Sequence, residues 1–174
     1  MNTKRASSSM VIAAMLAIYM YIVVKVILFK FHSIDPHLIK QQLKAHWHSP
    51  EMIMDQLTFR ANLVPFHVIF TYFEQATLHS WVNFAGNILI FMPFGMLLPL
   101  LFRGMSNPWL KVFMLSFTFS LGLETSQLIL AIGMFDVDDL ILNTFGGLLG
   151  YGMYRAWMMT GSPLPRNNGK PARS

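Results

Sequence analysis

Half of the chain's eight acidic residues stand between positions 124 and 139: Glu124, then Asp136, Asp138 and Asp139. Amide side chains that could orient a ligand or a neighbouring helix accompany them, at Asn62, Asn83, Asn87, Gln127 and Asn143. Carboxylates gathered in this way could move a proton, hold a hard divalent cation such as Mg²⁺ through oxygen, or contact the amines and sugars of a ligand. Glu124 is the most demanding of them. It lies inside the apolar run "FMLSFTFSLGLETSQLILAI", where a charge costs roughly 2.5–3.5 kcal/mol on insertion scales. Such a group must be protonated, paired, ion-bound or open to water, and no Lys or Arg stands at its depth on the neighbouring runs.

The elements that position these residues belong to a membrane. Of 174 residues, 54% are hydrophobic and 12% charged; a soluble domain carries about a quarter charged. Four runs are long enough to span roughly 30 Å of hydrocarbon: Ser9 to Phe29, Val82 to Phe102 with Pro93 and Pro99 inside it, Trp109 to Ile132, and Val137 to Met159. A kink is expected near Pro93. The first run follows Lys4 and Arg5 but is longer than a signal-peptide core and lacks a small-residue cleavage site, so it reads as a retained helix. The fold class expected is all-α, a polytopic membrane helix bundle of about four transmembrane helices, with a short interfacial or re-entrant helix after Pro65. Residues 1–8 form an N-terminal segment, 30–61 a polar connection, 62–159 the main membrane domain and 160–174 a disordered basic tail.

Helical spacing brings the polar residues to single faces. Ser116, Ser120, Glu124 and Gln127 share one face of the third run, Asn83 and Asn87 one face of the second, and Asp136, Asp139, Asn143, Gly146 and Gly150 one face of the fourth. Consecutive spans run antiparallel, so the early second, late third and early fourth runs lie in the same half of the bilayer. Basic residues flanking the spans place both termini in the cytoplasm, which makes this the outer half; Lys30, Lys40, Lys44 and Arg60 vote the other way.

Each feature also has a plain structural account. Intramembrane amides often only bond neighbouring helices, for about 0.6 kcal/mol. Asp136 or Asp138 would serve as a helix N-cap, and Asp139 would be favoured by the dipole. Gly146 and Gly150 suit close helix packing and leave a homo-oligomer open. His46 and His48, around Trp47, read as interfacial rather than as metal ligands. With no cysteine, disulfides, thiolate metal sites and a Cys nucleophile are excluded. The net charge of +5 is spread over connections and tail. That suits an anionic leaflet, and no basic patch interleaved with aromatics points to nucleic acid. No phosphate-binding, dinucleotide-binding or zinc spacing occurs.

On these blocks the chain resembles the VanZ-like family of bacterial membrane proteins. The resemblance runs through "NLVPF" at Asn62, "GNILIFMPFGMLLPLL" at Gly86, "SLGLETSQLIL" at Ser120 and "DVDDLILNTFGGLLGY" at Asp136. It spans roughly Asn62 to Tyr154, with the first run and the long connection outside it. By position the family pattern includes Asn62, Pro65, Phe66, Gly86, Asn87, Pro93, Gly95, Glu124, Gln127, Asp136, Asp138, Asp139, Asn143, Gly146, Gly147 and Gly150. Members commonly carry an arginine where this chain has Gly133. The family is associated by name with resistance to the glycopeptide teicoplanin.

The function expected is a multi-pass bacterial cell-membrane protein with an acidic pocket near the outer leaflet. It would bind or act on an amphipathic ligand: an envelope lipid, a lipid-linked wall precursor or a lipoglycopeptide antibiotic. As an enzyme it would use Glu124 as buried acid/base, with Asp136 and Asp139 polarising water or holding Mg²⁺. Asn62, Asn87, Gln127, Asp138 and Asn143 would orient the ligand. The alternatives are binding without chemistry, and proton- or cation-coupled transport, for which four spans without an inverted repeat are few.

Overall fold

The computed structural model describes residues 3–29, 36–49, 51–102 and 106–160. Every regular element in them is helical. The order is α1 (Thr3–Phe29), α2 (Pro36–His48), α3 (Glu51–Phe59), α4 (His67–Gln75), α5 (Leu78–Leu101), α6 (Pro108–Leu130) and α7 (Val137–Met159). This is the helical membrane bundle expected. Among the described residues three helices are long and apolar enough to cross a membrane: Met10–Leu28 within α1, α5 and α6. The fourth expected span, α7, has the length but not the composition, because aspartates, Asn143, glycines and Arg155 dilute its apolar residues. The structure resolves the conflict by covering its polar and small residues with protein: Asp138, Asn143, Thr144, Gly146, Gly147 and Gly150 are all buried.

Local sequence sets most of the helix ends. Thr77 caps α5, its hydroxyl oxygen accepting the Ser80 N–H at 3.1 Å. Pro108 opens α6, where its missing N–H costs nothing. Asp136 caps α7 by accepting the Asp138 N–H at 2.8 Å. The helix α5 continues through both Pro93 and Pro99. The connection expected as a polar segment holds two helices, α2 and α3, and α1 starts six residues before the apolar run does. The helix expected after Pro65 is α4. The proposed disordered tail lies outside the described residues beyond position 160.

Packing follows two rules. Where side chains are apolar they form the core: Leu16, Val23 and Leu28 of α1 meet Phe91, Phe94 and Leu98 of α5 and Val112 and Leu123 of α6. Between α5 and α7 the backbones themselves approach. A Cβ at Gly146 would run into the Ile88 carbonyl of α5, one at Gly150 into the Met92 carbonyl, and one at Gly95 into the Gly147 carbonyl. Lipid gives apolar helices no reason to leave it for one another, so such small-residue contacts carry the association. The Gly146/Gly150 face is therefore occupied by α5 of the same chain.

The arm formed by α2 and α3, between α1 and α4, is pinned to the bundle by a histidine. His46, expected at the interface, is 5% exposed, and its Nδ1–H donates to the Ile129 carbonyl at 2.6 Å. That carbonyl is in the last turn of α6, where no intrahelical donor remains. Nearby, the Gln127 amide donates to the Ile27 carbonyl of α1 at 3.0 Å. The ends of α1 and α6 and the arm are thereby held at one level.

Candidate functional site

The acidic residues do meet at one end of the bundle, and the first cause is the start of α7. The extended residue Asn62 pairs in parallel with Asp136. The Asn62 N–H donates to the Phe135 carbonyl at 2.9 Å, and the Val137 N–H to the Asn62 carbonyl at 3.0 Å. The Asn62 side-chain amide donates to Asp136 Oδ1 at 2.8 Å. The segment before α4 is thus laid along the entry to α7, although 74 positions separate the two residues.

Asp138 completes this docking. Phe66, the residue before α4, has a left-handed conformation, φ 67°, and gives the helix no side-chain cap. Its free N–H groups are served from another helix. Asp138 Oδ1 accepts from the Phe66 N–H at 2.5 Å, and Oδ2 accepts from Val68 at 2.7 Å and Ile69 at 3.1 Å. Asp138 is fully buried. A carboxylate facing three N–H donors at a helix N-terminus is stabilised by both the hydrogen bonds and the dipole.

Two further carboxylates join from below. Glu124, 1% exposed, accepts the Asp136 N–H through Oε2 at 3.0 Å. Asp139 accepts from the Asn87 amide of α5. Glu124, Asp136, Asp139 and Asn87 therefore come together from α5, α6 and α7. The other expected ligand contacts are directed elsewhere. Gln127 bonds to α1, and Asn143 donates to Ser120 Oγ of α6 at 2.9 Å. Asn83, on the same face as Asn87, reaches His79 of its own helix at 3.1 Å and also forms a hydrogen bond with Tyr72 of α4. Asp136 and Asp139 face different amides, Asn62 and Asn87. Among the described residues no group of three His, Asp or Glu side chains could hold a metal ion.

One residue at this site had no signal in the sequence. Tyr72 of α4 comes close enough to the carboxylates for its phenol to be pushed up to about 12, first by burial, then by the charges of Asp139 and Asp136. A tyrosine in "VIFTYFEQ" looks like any other aromatic of an apolar helix. The docking of α4 by Asp138 and a hydrogen bond between Tyr72 and Asn83 of α5 turn it toward the acids.

Burial also raises the carboxyl of Asp136, against the lowering effect of its bonds from Asn62 and from the Asp138 N–H. The sign is the reverse of the usual aspartate. A raised folded value means that the native chain binds the proton more tightly than the unfolded one. Asp136 therefore adds to stability as pH falls through its raised value and loses that contribution as pH rises. Infrared difference spectra should show its carboxyl protonating above 3.8, the ordinary value, and this band should vanish in Asp136→Asn. A band titrating at or below the ordinary value would contradict the burial argument.

The blocks that build this site are those of a known family. The profile described as VanZ/LLP1 matches residues 16–159. The chain belongs to the VanZ/LLP1 family. The match takes in α1 from its middle and the whole arm, so the resemblance from Asn62 to Tyr154 was too narrow. Protein VanZ of Enterococcus faecium is 44% identical over 70 residues, which are 39% of this chain and 41% of that protein. The aligned stretch thus spans about two fifths of that relative. No solved structure matches the chain. At the place where family members commonly carry arginine, a Cβ on Gly133 would meet the Gln127 side chain at 3.1 Å. Gln127 holds that space and ties it to α1 instead.

Proposed function

We propose that this member of the VanZ/LLP1 family is a multi-pass protein of the bacterial cell membrane that binds an amphipathic envelope ligand at the Glu124–Asp136–Asp139 cluster. The ligand class is a lipid-linked wall precursor, an envelope lipid or a lipoglycopeptide, and the physiological setting is teicoplanin-type resistance. The observation that carries this reading is the convergence of Glu124, Asp136 and Asp139 with Asn87 where the apolar helices α5 and α6 meet the start of α7. An acyl chain would lie along the helices while the polar head meets carboxylates and the Tyr72 hydroxyl. With both termini in the cytoplasm, as the flanking basic residues favour, the cluster would lie in the outer half of the bilayer, where wall precursors and glycopeptides meet.

Glu124 is the group placed for proton transfer, since it is buried inside α6 and its Oε2 accepts the backbone N–H of Asp136 at the entry to α7. Asp139 and Asn87 would orient the head group. Asp138 and Asn62 would act on the ligand only indirectly, by holding α4 in place.

The test uses the full chain in lipid nanodiscs, titrated with teicoplanin and, separately, with a purified lipid-linked wall precursor. Glu124→Gln and Asp139→Asn should each weaken binding about tenfold or more, the cost of about 1.5 kcal/mol or more for a hydrogen bond to a charged group. Chromatography of the precursor afterwards separates turnover from binding. Glu124→Gln that binds and protects a susceptible host as well as the wild type would exclude the cluster as the site. A precursor converted by wild type but not by Glu124→Gln would make Glu124 an acid/base.

A further inference from the structure

The arm between α1 and α4 carries a surface that the acidic cluster does not explain. Along α2, Ile39, Gln42 and Ala45 are half-buried and His46 is buried, while Lys40, Leu43, Lys44 and Trp47 are exposed. Trp47 is 85% exposed, and Phe59, at the end of α3, is 81% exposed. The exposed face of α2 thus carries an indole, a leucine and two ammonium groups, and α2 holds no acidic residue. Glu51 and Asp55 belong to α3. Large apolar side chains this open to water are costly, at roughly 25 cal/mol for each Å² left uncovered.

The position of the arm says what covers them. His46 ties α2 to the last turn of α6, and Gln127 of α6 ties that same region to Ile27, at the end of α1. Both α1 and α6 are helices long and apolar enough to cross a membrane. The arm therefore lies where the apolar helices end, which is the headgroup level of the bilayer they cross. Trp and Leu beside Lys are the side chains of an interfacial anchor: the indole and alkyl parts sink below the headgroups while ammonium groups remain among the phosphates.

We propose that α2 and α3 form a collar that lies in the headgroup layer of an anionic leaflet, with Trp47, Leu43 and Phe59 inserted and Lys40 and Lys44 paired with lipid phosphates. His46 serves as the pin that sets its depth. The collar would enrich anionic lipid at the end of the bundle where the acidic cluster lies. It stands independently of what that cluster binds.

The cysteine-free chain allows one labelled site. Trp47→Cys carries an environment-sensitive nitrobenzoxadiazole dye in nanodiscs of phosphatidylcholine and phosphatidylglycerol. Nitroxide-bearing lipid should quench it strongly and aqueous iodide weakly. Nitroxide carried on phosphatidylglycerol should quench several-fold better than on phosphatidylcholine, and Lys40→Gln with Lys44→Gln, or high salt, should bring the two lipids to parity. Iodide quenching without lipid quenching would overturn the collar, because the arm would then project into water. Equal quenching by both lipids in the otherwise native chain would overturn its anionic preference. Leu43→Cys, on the same face, repeats the measurement if the Trp47 variant does not fold.

Discussion

Asp138→Asn is expected to release α4 from the bundle while α5, α6 and α7 remain folded. The change preserves shape almost completely, but it turns an acceptor of three N–H groups into a side chain with one acceptor oxygen and an amide that is itself a donor. The Phe66, Val68 and Ile69 N–H groups would compete for that oxygen, and at least one would face another N–H. Bonds to a charged acceptor contribute about 1.5–3 kcal/mol each, and an orphaned buried donor costs about 1–3 kcal/mol. A loss of about 3 kcal/mol in the docking of α4 follows. No residue of α4 is fully buried, and what remains to hold it is Phe73 packed edge-on against Trp81 and Phe84 of α5 and the Tyr72–Asn83 hydrogen bond. Hydrogen exchange should accelerate at residues 66 to 72 and stay slow in the centres of α5 and α6. Ligand binding should fall with it, because Tyr72 reaches the acids only while α4 is docked. Unchanged exchange in α4 would mean that something other than Asp138 holds it. Asp136→Asn is the useful contrast: an amide oxygen there can still accept the Asp138 N–H, so α4 should stay in place.

The second large effect lies in the helix pair. Gly146→Ala and Gly150→Ala each place a methyl against a backbone carbonyl of α5 rather than against a side chain that can turn away. The helices must separate, and the cost should be about 3 kcal/mol, at the upper end for overpacking. Gly86, Gly122 and Gly152 have open space at the same test position. Alanine there should be neutral or stabilising by up to about 1 kcal/mol, as helix propensity alone predicts. Thermal or detergent unfolding followed by circular dichroism compares the two sets. Equal losses in both would show that α5 and α7 do not meet through these glycines. Since Asp139 and Asn87 sit on the same pair of helices, separation should also weaken the candidate site.

Several features of this protein were determined by the sequence alone. Long apolar runs with little charge require a membrane bundle, whatever their neighbours do. Helical periodicity and antiparallel order placed Asn87, Glu124, Asp136 and Asp139 at one level, because depth along a span depends only on position within it. Capping chemistry likewise identified the start of α7, where Asp136 accepts from the next turn.

The tertiary structure decided how the polar groups divide their work. Asp136, Asp138 and Asp139 are near neighbours in sequence, yet one pairs with Asn62, one caps α4 and one meets Asn87. Gln127 and Asn143 share the periodicity of candidate ligand contacts but bond to α1 and α6. Tyr72 and His46 acquire their partners from helices far away in the chain. Periodicity reports which face a side chain occupies; it carries no information about which donor stands opposite. That choice arises when α4 and the arm dock across the ends of helices already formed, and uncapped N–H and C=O groups there select the side chains that can satisfy them.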